Sequence, residues 1–215
     1  MAENKKNLTV IFDFDGTVTE ILGYGLDIVN QLADEFGFRK VRREEIEKLR
    51  DLKVRELAKE FGIPLIKIPM VAKRAHALVK EDMEKLAPAP GMKAALGKLH
   101  LKGYGLGILT SNSKENVEEF LKNNNLEFFD FVYSSSSIFG KAGKMKKLMR
   151  NHNLSPENVV YVGDEIRDID AAKKSGVRII SVGWGFNSEK SLRAQNPDFV
   201  VSKPEELVVV LENMR

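Results

Sequence analysis

Asp13 and Asp15 stand one residue apart at the end of an apolar run, directly before Gly16 and Thr17. Two carboxylates so placed can divide nucleophilic and proton-transfer work, one attacking while the other gives and takes a proton. The plainer alternative is an Asp–Gly turn with incidental acids. A second acidic group, Asp164, Glu165 and Asp168, follows Gly163. Clustered carboxylates are costly to bury unless a positive charge sits among them, and oxygen ligands suit a small hard cation such as Mg²⁺. Asp168 alone reads equally well as an N-cap for a helix running to Ser175, whereas Asp164 has no such structural use. Between the acidic groups lie Thr110, Ser111, Asn112 and Ser113, and then Phe139 to Lys144 with Lys141 at its centre. Hydroxyls at a helix start can donate to phosphate oxygens, with Ser113 a natural N-cap. A lysine there can neutralise phosphate and an acceptor carboxylate together. Lys144, Lys146, Lys147 and Arg150 make the same stretch lysine-rich, so a solvated helix face is the competing reading.

The elements that must position these groups follow from periodicity. Leu8 to Phe14 is short and β-branched and stops at Asp15–Gly16, which predicts a buried strand ending in a turn. If strand geometry runs through both aspartates, alternation places them on one side. From Ile21 to Leu86 apolar residues recur at spacings of three and four, broken at Gly37, Gly62 and Pro64, which predicts helices and no strand. After Pro90–Gly91 strands and helices alternate. Strands are expected at Tyr104–Thr110, Phe129–Tyr133, Val159–Val162, Val177–Val182 and Phe199–Val201. Helices are expected at Lys93–Leu101, Lys114–Asn123, Lys144–Asn153, Asp168–Ser175 and Pro204–Glu212. That rhythm implies right-handed crossovers and an α/β fold with a parallel, helix-covered sheet. The domain division read from it is an α/β core at residues 1–20 and 87–215, interrupted after its first strand by a helical insertion at 21–86. Ligands of such sheets bind beyond the carboxyl ends of the strands, where all the polar groups above fall.

Composition narrows the function classes. The chain has 215 residues, 34 basic and 31 acidic side chains, a net charge of +3 and no cysteine. Disulfides and thiolate metal sites are excluded, and the small net charge gives no reason to expect a nucleic-acid partner. The basic run Arg39, Lys40, Arg42 and Arg43 is followed by Glu44, Glu45 and Glu47, a solvated helix face. No stretch reads as a signal peptide or membrane span, so a cytoplasmic location and no membrane partner are expected.

The Asp13-Phe14-Asp15-Gly16-Thr17 stretch, the Ser/Thr after the second strand, the later lysine and Gly163-Asp164-x-x-x-Asp168 resemble the four motifs of the haloacid dehalogenase-like superfamily. The helical block resembles the first-type cap of its phosphoglycolate phosphatase-like members. The resemblance implies a Rossmann-like parallel sheet with helices on both faces plus a small all-helical cap domain. It also implies a Mg²⁺-dependent phosphatase acting on a small phosphorylated substrate. By similarity Asp13 accepts the phosphoryl group and Asp15 is the general acid/base. Lys141 is catalytic and binds substrate together with Ser111 and Asn112, and Asp13, Asp15 and Asp164 hold the metal. Ser111 is preferred to Thr110 because the family pattern often has Asn next, and Lys141 to Lys144 because it lies nearer the preceding strand. Alternatives on the same residues are a phosphomutase of the beta-phosphoglucomutase kind and a binding protein without activity. A dehalogenase fits poorly, because its relatives do without the acid/base aspartate. Arg50, Lys53 and Arg55 lie mid-cap, where similar segments reach substrate, though a charged helix surface explains them as well. Trp184 either lines the pocket mouth or anchors the surface. Gly23, Gly25, Pro88, Pro90 and Gly91 are candidate hinges, and the three histidines suggest no chemistry.

Overall fold

The computed structural model describes residues 8–52, 54–81, 86–134 and 140–214. Six parallel strands form one sheet: β1 (Thr9–Phe12), β2 (Gly105–Thr110), β3 (Phe131–Ser134), β4 (Val159–Gly163), β5 (Arg178–Val182) and β6 (Phe199–Val201). Their order is β3-β2-β1-β4-β5-β6, so the chain reverses direction on either side of β1, and β1 and β4 lie next to each other at the centre. Period-two alternation sends Val10 and Phe12 to one face and Ile11 to the other. On the first face pack α5 (Met92–Leu101), α6 (Lys114–Asn123) and α10 (Pro204–Asn213), through residues such as Leu96, Phe120 and Leu207. On the second pack α7 (Lys141–Asn151), α8 (Ile166–Ser175) and the short α9 (Glu189–Arg193), through Met145, Ile169 and Leu192. Helices therefore cover both faces, as right-handed crossovers between parallel strands demand.

The block after β1 is helical: α1 (Leu22–Phe36), α2 (Ile46–Leu49), α3 (Val54–Glu60) and α4 (Ile68–Glu81). Gly37 ends α1 in the left-handed conformation, with φ of 74°. Ile28 and Leu32 of α1 meet Leu78 of α4 in a separate apolar cluster, flanked by the Arg74–Glu35 ion pair at 2.9 Å and a 3.2 Å hydrogen bond from the Tyr24 hydroxyl to the Leu78 carbonyl. The last residues of the predicted Val71–Leu86 helix, 82–85, lie outside the described residues. Where the block leaves and rejoins the sheet, Thr19 and Pro88 form an antiparallel bridge. Glu20 N–H donates to the Ala87 carbonyl at 2.8 Å and Ala89 N–H to that of Val18 at 2.9 Å.

Among the differences from the sequence reading, two bear directly on the site. The first strand stops at Phe12, not Phe14. Asp13 N–H still donates to the Val162 carbonyl at 2.8 Å, but Thr17, Val18 and Thr19 then all donate to the Phe14 carbonyl. That tight turn replaces strand alternation as the device that sets Asp13 and Asp15. The lysine-rich helix begins at Lys141, one turn earlier than its apolar pattern suggests.

Candidate active site

β1 delivers Asp13 to the carboxyl edge of the sheet, nearly buried at 5% exposure. One of its oxygens accepts from Phe14 N–H at 2.9 Å, and the other lies 2.7 Å from the Lys141 ammonium. Lys141 is the first residue of α7, where a cation opposes the helix dipole; its carboxylate partners offset that cost. It also contacts Asp168, which is fully buried at the start of α8. Burial works against the Lys141 charge, but Asp13 and Asp168 overcome it and hold the lysine well above its usual range. Asp168 additionally accepts from Glu165 N–H at 3.0 Å, closing the first turn of α8. The N-cap of α8 is Glu165, not Asp168 as the sequence suggests; Asp168 is the third helical residue, and its carboxylate closes the capping box while meeting Lys141.

β4 delivers Asp164, fully buried. Its carboxylate accepts from the Thr17 hydroxyl at 2.8 Å and from Phe186 N–H at 2.7 Å. The approach of the three segments is close enough to require glycine twice. A Cβ on Gly16, whose φ is +78°, would sit 2.3 Å from the Asp164 carboxylate, and one on Gly185 would sit 2.2 Å from the Asp164 Cβ. Burial first, and then the neighbouring carboxylates Glu165, Asp13 and Asp168, push Asp164 well above the usual carboxylate range. Burial likewise raises Asp13 against the pull of Lys141. Asp13, Asp164 and Asp168 each bring an oxygen within 4.8 Å of the others. One ammonium among three carboxylates leaves an excess of negative charge in a desolvated place, and all the donors are oxygens. The set fits a small divalent cation.

Asp15 is half-buried, and one of its carboxylate oxygens is buried without a hydrogen-bond partner among the described residues. Burial, then the adjacent Asp13, raises its pKa to about 7, against a hydrogen bond from Asn112 that lowers it. Such a carboxyl can give a proton near neutrality and take one back. At the end of β2, the buried Thr110 hydroxyl accepts from Asn112 N–H at 2.9 Å and is occupied locally. Ser111 is half-buried beside it. Asn112 accepts from Ser113 N–H at 2.8 Å, and Ser113 caps α6 by accepting from Asn116 N–H. The structure thus gathers Asp13, Asp15, Asn112, Lys141, Asp164 and Asp168 in one place, and Lys141, not Lys144, is the lysine brought onto Asp13.

Three features were not foreseen in the sequence. Thr17 and the Phe186 backbone hold Asp164. Asn187 ties the same loop down, its N–H donating to the Asp164 carbonyl at 3.2 Å and its Oδ1 accepting from Ile166 N–H at 2.9 Å. Arg167, paired with Glu165, opposes by its charge part of the rise that burial imposes on Asp13 and Asp15. Trp184 is an anchor: its indole N–H donates to the Thr17 carbonyl at 3.0 Å while the ring packs on the core. Arg50 is engaged with the loop that follows β5. Its guanidinium donates to the Gly183 carbonyl at 2.6 Å and the Phe186 carbonyl at 3.3 Å, and it pairs with Glu47 at 2.8 Å. Lys53 lies outside the described residues.

Known proteins resemble this chain in sequence and in fold. Residues 10–182 match the family described as haloacid dehalogenase-like hydrolase. A phosphoglycolate phosphatase of Synechococcus elongatus is 32% identical over 200 residues, covering 93% of this chain and 94% of the relative. The pyrophosphatase PpaX of Bacillus cereus is 30% identical over 121 residues, 54% of this chain and 56% of the relative. Among solved structures, a haloacid dehalogenase-like family hydrolase of Streptococcus pneumoniae superposes with a TM-score of 0.77 at 23% identity, over 95% of this chain and 99% of that one.

Proposed function

Since the chain belongs to the haloacid dehalogenase-like hydrolase family and is a phosphatase, we propose that it hydrolyses a small phosphorylated metabolite through an aspartyl-phosphate, with Mg²⁺ at its acidic cluster. The observation that carries the reading is the Lys141 ammonium lying between Asp13 and Asp168, with Asp164 in the same buried cluster. Asp13 attacks phosphorus, its new bond forming as the bond to the leaving oxygen breaks, and Asp15 protonates that oxygen. Asp15 then takes a proton from the water that attacks the aspartyl-phosphate, releasing phosphate and restoring Asp13. Lys141, Ser111 and Asn112 bind the phosphoryl oxygens and oppose their charge. The Asp13 and Asp164 carboxylates and the Asp15 backbone carbonyl would hold Mg²⁺, which when bound withdraws charge from the transferring phosphoryl group.

The test is Asp13→Asn, assayed on 2-phosphoglycolate and ethyl phosphate with Mg²⁺ and with a chelator. An amide is neither nucleophile nor anionic ligand, so turnover should fall by at least about 10³-fold, on the scale of losing a catalytic nucleophile, with the thermal transition kept. Near-parental turnover in the variant would overturn the covalent mechanism. Unchanged parental turnover in chelator would overturn the metal.

A further inference from the structure

β4 lies between β1 and β5 in the sheet, and its alternation decides what stands beside the site. Val160 and Val162 join the cluster on the first face, Val159 and Tyr161 the cluster on the second. Gly163 is the next residue on that second face. A Cβ there would sit 2.5 Å from the Asp168 carboxylate, so its missing side chain leaves the space to Asp168. Lys141, at the start of α7, comes to the same place. Its ammonium lies over the Tyr161 ring, 5.1 Å from the centroid, while it meets Asp13 at 2.7 Å and also Asp168. A ring face attracts a cation within about 6 Å, and more strongly when both are desolvated. Tyr161 is fully buried, and the Lys141 side chain is 17% exposed. The Tyr161 hydroxyl has no hydrogen-bond partner among the described residues, although a buried tyrosine usually finds one. The ring is therefore the part of this residue that meets the charge of the site.

The two carboxylates alone are an incomplete seat for the ammonium. When Asp13 attacks phosphorus, negative charge moves from its carboxylate to the phosphoryl oxygens, and Lys141 must turn toward them without leaving its place. The attraction of a ring face does not depend on the charge of Asp13. It also tolerates rotation of an ammonium about its axis, so the three N–H donors can be shared anew. We infer that the face of Tyr161 seats the Lys141 ammonium, which makes Tyr161 a positioning residue for phosphoryl transfer. The inference rests on the phosphatase reading above and adds to it a residue that carries no charge.

The test places phenylalanine and then 4-fluoro-, 3,5-difluoro- and 3,4,5-trifluorophenylalanine at position 161, because each fluorine draws electron density from the ring face with little change of shape. Turnover of ethyl phosphate and 2-phosphoglycolate with Mg²⁺ is measured along with the thermal midpoint. Tyr161→Phe removes only the unpartnered hydroxyl, so kcat should stay within about 2-fold of the parent and the midpoint should hold or rise. Along the fluorinated series kcat should fall progressively, on the order of 5-fold at three fluorines, a share of what a desolvated cation–π contact supplies. KM should move less, because Asp13 still holds the ammonium when substrate binds. A readout independent of turnover comes from the same rings in Lys141→Met. Relative to phenylalanine, three fluorines should lower the midpoint more in the parent background than in Lys141→Met, the difference isolating the contact. A kcat that ignores the fluorines overturns the inference, and the ring is then core packing. A Tyr161→Phe protein as slow as the trifluorinated one overturns it as well, and assigns the seat to the hydroxyl. The phosphatase reading survives both of those outcomes. A parent that releases phosphate from neither ester overturns that reading, and the inference with it.

Discussion

Lys141 faces two buried carboxylates at the start of a helix, where burial and the helix dipole both work against a cation. Removing it should be felt twice. Lys141→Met leaves Asp13 and Asp168 buried without their ammonium, and breaking a buried pair from one side costs about 3 kcal/mol or more. Denaturant unfolding should report that loss, and turnover should fall with it because phosphoryl charge goes unopposed. A stability change under about 1 kcal/mol would mean the carboxylates are already neutral or otherwise compensated. Asp13, Asp15 and Asp164 were legible in the sequence because carboxylates beside glycine at a strand end suggest chemistry, whereas Lys141 gained weight only from its place among the motifs and the part played by Arg167 was not legible. Thr17 and Phe186 were not legible. Thr17 acts through a hydroxyl read as part of a turn, and Phe186 through its backbone N–H, a group every non-proline residue possesses.

At the scale of elements, β-branched runs bounded by glycine and asparagine made the strands readable, and apolar spacing made α5, α6, α8 and α10 readable to within about two residues. The segment from Gly183 to Arg193 escaped because its shape is set from outside. Its short helix α9 is capped by Ser188, which accepts from Ser191 N–H at 3.2 Å, while Arg50 and Asp51 of the helical block grip the segment around that cap. Asn187 Nδ2 donates to the Arg50 carbonyl at 3.0 Å and Lys190 pairs with Asp51 at 3.2 Å. Arg50 is thus a clasp between the helical block and the loop that holds Asp164. Arg50→Ala should cost about 2 kcal/mol, the scale for hydrogen bonds to a charged group. It should lower kcat/KM by a common factor across a panel of phosphate esters, with the ranking kept. A change of ranking would return Arg50 to substrate recognition. The sheet offers an opposite case. Ser181 on β5 is fully buried and its hydroxyl has no hydrogen-bond partner among the described residues. Ser181→Ala should leave stability unchanged or raise it by up to about 1 kcal/mol; a clear loss in thermal midpoint would reveal a partner for that hydroxyl.

At the scale of the whole molecule, the division into an α/β core at residues 1–20 and 87–215 and a helical cap at 21–86 is a proposal about cooperativity, and the packing supplies reasons for it. The two clusters that flank the sheet draw almost wholly on residues outside the helical block, whereas the third lies entirely inside it. No helix among the described residues is long and apolar enough to cross a membrane. The chain crosses between the two parts at adjacent points, because the Thr19–Pro88 bridge brings the exit and return strands side by side. Glu20 N–H to the Ala87 carbonyl, at 2.8 Å, is the last hydrogen bond of that ladder before the block begins. A short Gly-Asn-Gly link from Glu20 to Ala87 can therefore close the core with little strain, in the manner of a hairpin turn. All the strand-end groups stay in the shortened chain, but it loses Arg50, Ile21 and the other residues of the helical block that line an apolar cavity. It should unfold in one transition and retain measurable hydrolysis of ethyl phosphate, at a reduced rate because water is no longer excluded from the site. Any preference the full chain shows among small phosphate esters should weaken, since Phe186 is the one residue named as lining the apolar cavity that stays on the core. If the shortened chain fails to fold, the helical block is part of the core's own stability and the boundary is wrong. If it folds and keeps the preference, leaving-group choice resides in the strand-end loops, and the cap serves only to shield them.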